Sequence, residues 1–112
     1  QTLLDVDNPG YRVRPNLQQT AHGQQTGNTG GTYALNGGNN LSVPHGYEVV
    51  VKGLPDNTGQ VTVGAGADVG SEGYVLDPGD WVTLAIDDVS RIDFVPFNDG
   101  DGVTWIVEQE GA

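Results

Sequence analysis

The chain has 112 residues, no cysteine and a formal net charge of −11, and its length fits one domain with a modest core. The lack of cysteine excludes a disulfide framework and a thiolate site. Fifteen acids against four lysines and arginines disfavour a nucleic-acid partner, which requires cations facing phosphates. No segment approaches membrane-spanning length, so we expect no membrane partner.

The negative charge is unevenly distributed. Residues 1–30 are neutral because Asp5 and Asp7 balance Arg12 and Arg14, so residues 31–112 carry the whole excess. Abundant Asp with a single lysine is typical of proteins that work in concentrated salt, where the Debye length falls to about 3 Å at 1 M. The composition therefore predicts a halophilic protein, the alternative being an ordinary acidic surface that favours solubility.

Residues 1–30 are predicted to form an extended N-terminal arm. Most of this segment is a polar run of Gln, Thr, Asn and Gly with little to bury. We expect the arm to contact an adjacent subunit or an underlying shell, and its neutral charge and arginines suit an acidic neighbour. The alternative is an arm that folds back as an edge strand of its own domain. The predicted interaction residues are Leu3, Leu4, Val6, Tyr11, Arg12 and Arg14.

Residues 31–112 are predicted to form an all-β domain, a small antiparallel β-sandwich or barrel of about seven or eight short strands. Short β-branched runs alternate with Gly, Pro, Asn and Asp, and no window shows a sustained helical period. The spacing predicts that Tyr47–Lys52 and Gly59–Gly64 are joined by a turn and that Arg91–Val95 and Val103–Glu108 form a hairpin. The predicted inward residues are Val49, Val51, Val61, Val63, Val82, Leu84, Ile92, Phe94, Trp105 and Val107.

The polar turn Asn98–Gly102 resembles a calcium loop in composition. It lacks the ligand spacing of an EF-hand, so Asp99 and Asp101 are weak calcium candidates and a solvated hairpin turn is the preferred interpretation. Asp87 and Asp88 would point apart in an extended chain, which favours a strand-end turn over an acid/base or metal dyad.

Other candidate sites have weaker support. His22 and His45 have neither a cysteine nor a third histidine to complete a zinc site. Asn40-Leu41-Ser42 matches the glycosylation sequon, and its occupancy is left open. No serine stands in a nucleophile elbow. We therefore expect no catalytic site, no cofactor and no metal.

Several motifs, taken in their order, resemble a known family. They are Asn57–Gly64, Gly73-Tyr74, Leu76–Asp80 with the strand that follows it, Asp87–Ile92 and Gly100–Ile106. Together they look like small accessory structural proteins of tailed viruses, and the acidic composition would suit a haloarchaeal host. The resemblance covers about residues 43–107 and implies a non-catalytic protein of the virion that contacts the major capsid protein or other virion proteins.

Three functions remain open at this stage. The first is a capsid decoration, turret or head-fibre protein that attaches to the capsid shell and forms a homo-oligomer. The second is a head-to-tail connector or tail subunit. The third is a carbohydrate- or cell-surface-binding β-sandwich, which requires at least two exposed, coplanar aromatic side chains in one concavity. Its candidate aromatics are Trp81, Trp105, Tyr33, Tyr47 and Tyr74.

Overall fold

The computed structural model describes residues 19–66 and 69–110 and shows an all-β fold of two antiparallel sheets, which confirms the predicted fold class. One turn of α-helix, α1 (Val69–Glu72), a short 3₁₀ segment, Val89–Arg91, and a tight turn, Leu35–Gly38, connect strands. Asn36 and Gly37 in this turn have positive φ angles. The strands are β1 (Gln19–Thr26), β2 (Tyr33–Ala34), β3 (Tyr47–Gly53), β4 (Val61–Ala65), β5 (Tyr74–Leu76), β6 (Trp81–Leu84), β7 (Ile92–Pro96) and β8 (Gly102–Gln109).

The two sheets are interleaved in sequence. Sheet A has the strand order β1-β8-β3-β6 and sheet B has the order β2-β7-β4-β5. Four connections lie at one end of the sandwich, which we call the crossover end: β1–β2, β3–β4, β5–β6 and β7–β8. Each of them passes from one sheet to the other. The β2–β3 and β6–β7 connections change sheet at the opposite end.

The predicted hairpin of the last two strands is wrong. β7 pairs with β2 and β4, whereas β8 pairs with β1 and β3. The β3–β4 turn likewise joins strands of different sheets. Alternation along a strand specifies which side chains face the core, but it does not specify whether the next strand lies beside it or across the core about 10 Å away.

The core lies between the two sheets and is built mainly from valines. The ten predicted inward residues are all buried or partly buried; Val82 and Leu84, on the edge strand β6, are the partly buried ones. Phe94 stacks on Tyr33 with ring centroids 5.4 Å apart. Each fully buried side chain of this size contributes roughly 1.5–3 kcal/mol.

Part of the predicted arm belongs to the sandwich. Gln19–Thr26 is β1, an edge strand of sheet A paired with β8 up to the Thr26–Gly102 register, as in the alternative of an arm that folds back. Gly23 lies over the indole of Trp105, where a Cβ would approach the ring to 2.8 Å. The six predicted interaction residues lie outside the described residues.

We predict different results for two truncations. Deleting residues 1–18 retains every described strand, so the truncated chain should still fold to a β-rich structure with a cooperative urea transition. Deleting residues 1–30 also removes β1 and uncovers Trp105, and it should lower the free energy of unfolding by roughly 3 kcal/mol or more. Equal urea midpoints for the two truncated chains would contradict this assignment of β1.

Candidate functional site

A buried carboxylate lies at the crossover end. Asp101 is 3% exposed, and its side chain accepts hydrogen bonds from the backbone N–H groups of Thr58 and Gly59, each at 2.9 Å, and from the Thr58 hydroxyl at 3.2 Å. Beside it, the Asn57 amide accepts from the Gly102 N–H and donates to the Gly102 carbonyl, both at 2.9 Å. We call these five residues the Asp101 clasp.

Neighbouring segments outside the clasp approach its two glycines closely. A Cβ on Gly102 would lie 2.0 Å from the Gln25 carbonyl oxygen, and a Cβ on Gly59 would lie 2.4 Å from the side-chain nitrogen of Asn98. Glycine is therefore required at Gly102, where the neighbour is backbone, whereas the exposed Asn98 side chain could move to admit a Cβ on Gly59. Asn57-Thr58-Gly59 on one side and Asp101-Gly102 on the other are the two halves of this one contact.

The interpretation of Asn98–Gly102 as a solvated hairpin turn is corrected in part. Asn98, Asp99 and Gly100 are exposed, but Asp101 and Gly102 are buried, and the turn joins strands of different sheets. Asp101 is buried because backbone N–H groups and a hydroxyl compensate the carboxylate for the loss of water. The second weak calcium candidate, Asp99, has a different partner, since its Oδ1 accepts from the Thr29 N–H at 2.9 Å. Within residues 19–66 and 69–110, no group of three or more His, Cys, Asp or Glu side chains could hold a metal ion.

A second carboxylate joins connections at the opposite end of the sandwich. Asp88 Oδ1 accepts from the Leu41 N–H at 3.0 Å, the Ser90 N–H at 2.9 Å and the Ser90 hydroxyl at 2.7 Å. The Ser90 hydroxyl, followed by the two N–H groups, lowers the pKa of Asp88. Asp87 instead forms an exposed ion pair with Arg91 at 2.8 Å. The two carboxylates therefore bind different partners around a strand-end turn.

The two histidines and the sequon asparagine are at the surface. His22 is exposed on β1 and lines a groove on the outer face of sheet A with Val50 and Ile106. His45 is exposed in a different groove, next to Pro44. Asn40 is exposed, and its side-chain oxygen accepts from the Ser90 hydroxyl at 3.2 Å.

The candidate stacking aromatics divide into two groups. Trp105 is buried, and Tyr33 and Tyr47 are partly buried against the core. Tyr74 and Trp81 are 58% and 64% exposed. These two residues line one open cleft of about 330 Å³, between the edge strands of the two sheets, together with Val75, Leu76, Asp80 and Val82. We call it the β5–β6 cleft.

A fixed turn connects the two strands of this cleft. Asp77–Asp80 has the features of a type II turn: Pro78 in second position, Gly79 at φ +87° and a hydrogen bond of 2.9 Å from the Asp80 N–H to the Asp77 carbonyl. Gly53 holds the turn, since its N–H donates to the Asp80 carbonyl at 2.8 Å and its carbonyl accepts from the Gly79 N–H at 3.0 Å. The backbones that carry Tyr74 and Trp81 are thereby anchored to one rigid element.

Comparisons of the chain with protein-family models, with curated proteins and with solved structures found no match. In the part of the chain that the structure describes, no helix has the length and hydrophobicity needed to cross a membrane.

We predict that removing the Asp101 carboxylate lowers the free energy of unfolding more than removing the Asp99 carboxylate. Asp101→Ala leaves two backbone N–H groups and a hydroxyl without their acceptor in a buried site, so it should lower the free energy of unfolding by about 2–4 kcal/mol. The matched control Asp99→Ala removes one exposed hydrogen bond and should cost about 1 kcal/mol or less. Urea titration followed by circular dichroism measures both, and equal losses would contradict the structural role of Asp101.

Asp88 and Asp93 should affect the pH dependence of stability in opposite directions. The lowered pKa of Asp88 makes its contribution complete above 3.8 and lost as pH falls through the folded pKa. Burial raises the pKa of Asp93, so ionised Asp93 costs stability above its folded pKa, and the cost disappears as pH falls towards 3.8. At neutral pH, Asp88→Asn should therefore lower the urea midpoint and Asp93→Asn should raise it.

The differences of both variants from the parent chain should shrink at strongly acidic pH, where the parent carboxyls are themselves protonated. Urea midpoints measured at neutral pH and near about pH 3 provide the comparison. If both variants changed the urea midpoint in the same direction at neutral pH, the opposite effects assigned to Asp88 and Asp93 would be wrong.

Proposed function

We propose that the protein is a non-catalytic structural component of a virus particle, a capsid decoration, turret or head-fibre protein that attaches to the capsid shell and self-associates. The proposal is drawn from the resemblance of the ordered sequence motifs to small accessory structural proteins of tailed viruses. The carboxylates of Asp88, Asp99 and Asp101, which the sequence offered for chemistry, accept hydrogen bonds within the chain. We therefore propose that the protein acts through contacts of its surface with other proteins.

The observation that carries the self-association is the open edge of sheet A. β1 is eight residues long, pairs with β8 alone among the described strands and contains no Asp, Glu, Lys or Arg. Natural edge strands are usually protected against pairing by charged side chains or proline. The other edge of sheet A, β6, also lacks these residues but is only four residues long. In a chain of net charge −11, the longer uncharged edge is where we expect two copies to pair with little repulsion.

The attachment is assigned to the N-terminal segment that precedes β1. Leu3, Leu4 and Val6 provide apolar contacts, and Arg12 and Arg14 provide cations for an acidic shell. The proposed partners are the major capsid protein or other virion proteins, and the proposed location is the virion. A connector would use the same body in a ring at one vertex, so the symmetry of the copies on the particle distinguishes the two roles.

The test begins with the particle. Mass spectrometry of virus particles purified from the source of this sequence should detect the chain, and its absence would overturn the proposed function. Full-length protein should then co-sediment with particles from which it has been stripped, at about 1 M salt. The variant lacking residues 1–18 should remain in the supernatant, and equal co-sedimentation would refute attachment through this segment.

Self-association is tested separately with a charge on the open edge. Gln24→Lys places a cation on an exposed position of β1 and should lower the oligomer mass measured by light scattering after gel filtration. Thr83→Lys places the same charge on the exposed face of β6 and is the matched control, which should leave the mass unchanged. A monomeric parent chain, or equal effects of both variants, would contradict pairing through β1.

A further inference from the structure

The β5–β6 cleft presents two aromatic side chains that the core does not require. Tyr74 and Trp81 are more than half exposed, whereas Trp105 and Phe94 fill the interior. Leaving large rings in water forgoes the stabilisation that their burial would provide. Their location on either side of one cleft gives them a common ligand surface.

The same cleft has a fixed polar group. Asp80 lines it, and its Oδ2 accepts from the Asp77 N–H at 3.2 Å. A carboxylate has about four acceptor positions, so Asp80 can accept further hydrogen bonds. Asp77 is oriented in turn by the Gln60 side chain, whose amide donates to it at 2.8 Å. The turn that carries both acids is the one anchored on Gly53.

We infer that the β5–β6 cleft binds a neutral polysaccharide, with Tyr74 and Trp81 as stacking platforms and Asp80 as an acceptor for sugar hydroxyl groups. A pyranose ring has an apolar C–H face, which packs on an aromatic ring, and hydroxyl groups that donate to a carboxylate. Tyr and Trp provide large contact areas with few rotatable bonds. The anchored turn reduces the ordering required on binding, as in preorganised sites. This binding role lies beyond the proposed function and does not depend on it.

Charge and desolvation disfavour three other occupants of the cleft, namely an anionic polymer, a second copy and an apolar peptide. Anionic polymers meet Asp77 and Asp80 on a chain of net charge −11. A symmetric contact with a second copy would place Asp77 and Asp80 of one copy against the same residues of the other. An apolar peptide would bury the charged Asp80 carboxylate, and only its backbone N–H groups could offset the lost hydration. An uncharged ligand rich in hydroxyl donors meets none of these penalties.

The experiment uses the full chain and native affinity electrophoresis in gels that contain amylose, arabinoxylan, mannan or β-glucan, with polygalacturonate as the anionic comparison. At least one neutral polymer should retard the protein, and polygalacturonate should not. Trp81→Ala and Tyr74→Ala should each weaken the retardation about tenfold, whereas Trp81→Phe should retain part of it. Phe97→Ala, which removes an aromatic side chain that is 44% exposed and outside the cleft, is the matched control.

Circular dichroism melts of all four variants check that they are folded. Intrinsic fluorescence gives a second measurement because the exposed Trp81 should be shielded from acrylamide by the retarding polymer, while Trp105 is already buried. The inference is overturned if no neutral polymer retards the chain or if Trp81→Ala binds as the parent does. It is also overturned if the cleft variants dissociate an oligomer, since the cleft would then be a protein interface. None of these results bears on whether the chain is part of a virus particle.

Discussion

The fold depends on the buried hydrogen bonds between Asp101 and the Thr58-Gly59 backbone. Most consecutive strands of this sandwich lie in different sheets, so local hairpins fix few of the connections. The clasp joins the β3–β4 and β7–β8 crossovers, and the Gly27 N–H, which donates to the Asp101 carbonyl at 3.0 Å, adds the β1–β2 crossover. Hydrogen bonds to a charged group contribute about 1.5–3 kcal/mol. One end of the sandwich is thereby a single hydrogen-bonded unit.

The sequence predicts which face of each strand is buried, but it does not predict which strands pair with one another. Alternation predicted that Val61 and Val63 face the core because the period of two is a property of the strand itself. It could not predict that β7 and β8 separate, since a hairpin and a crossover use the same turn residues. The burial of Asp101 was missed because its donors lie more than forty residues away in the chain. The joint presence of Asn-Thr-Gly and Gly-Asp-Gly was the one available signal. The exposure of Tyr74 and Trp81 depends on their edge positions, which become known only with the strand order.

The excess of Asp over Glu has a structural component. Asp88, Asp99 and Asp101 each accept backbone N–H groups in connections, a role that suits a short side chain able to reach nearby or opposed backbone. Part of the acidic composition is therefore turn chemistry, which operates at any salt concentration. The remaining charge still repels itself, and salt screens that repulsion. The halophilic prediction rests on this second part.

The β1 edge and the β5–β6 cleft lie on opposite sides of the sandwich, so a contact at one does not block the other. β1 forms one edge of sheet A and β6 forms the other, with β8 and β3 between them. At about 4.8 Å per strand spacing, these edges are roughly 14 Å apart. Copies that pair through β1 would therefore leave each β5–β6 cleft facing outwards. An array of such clefts could bind a repeating polymer at several points, which raises the overall affinity even where each cleft binds weakly. In these proposals, the neutral edge serves self-association and the acidic cleft serves ligand binding, in two separate parts of one small domain.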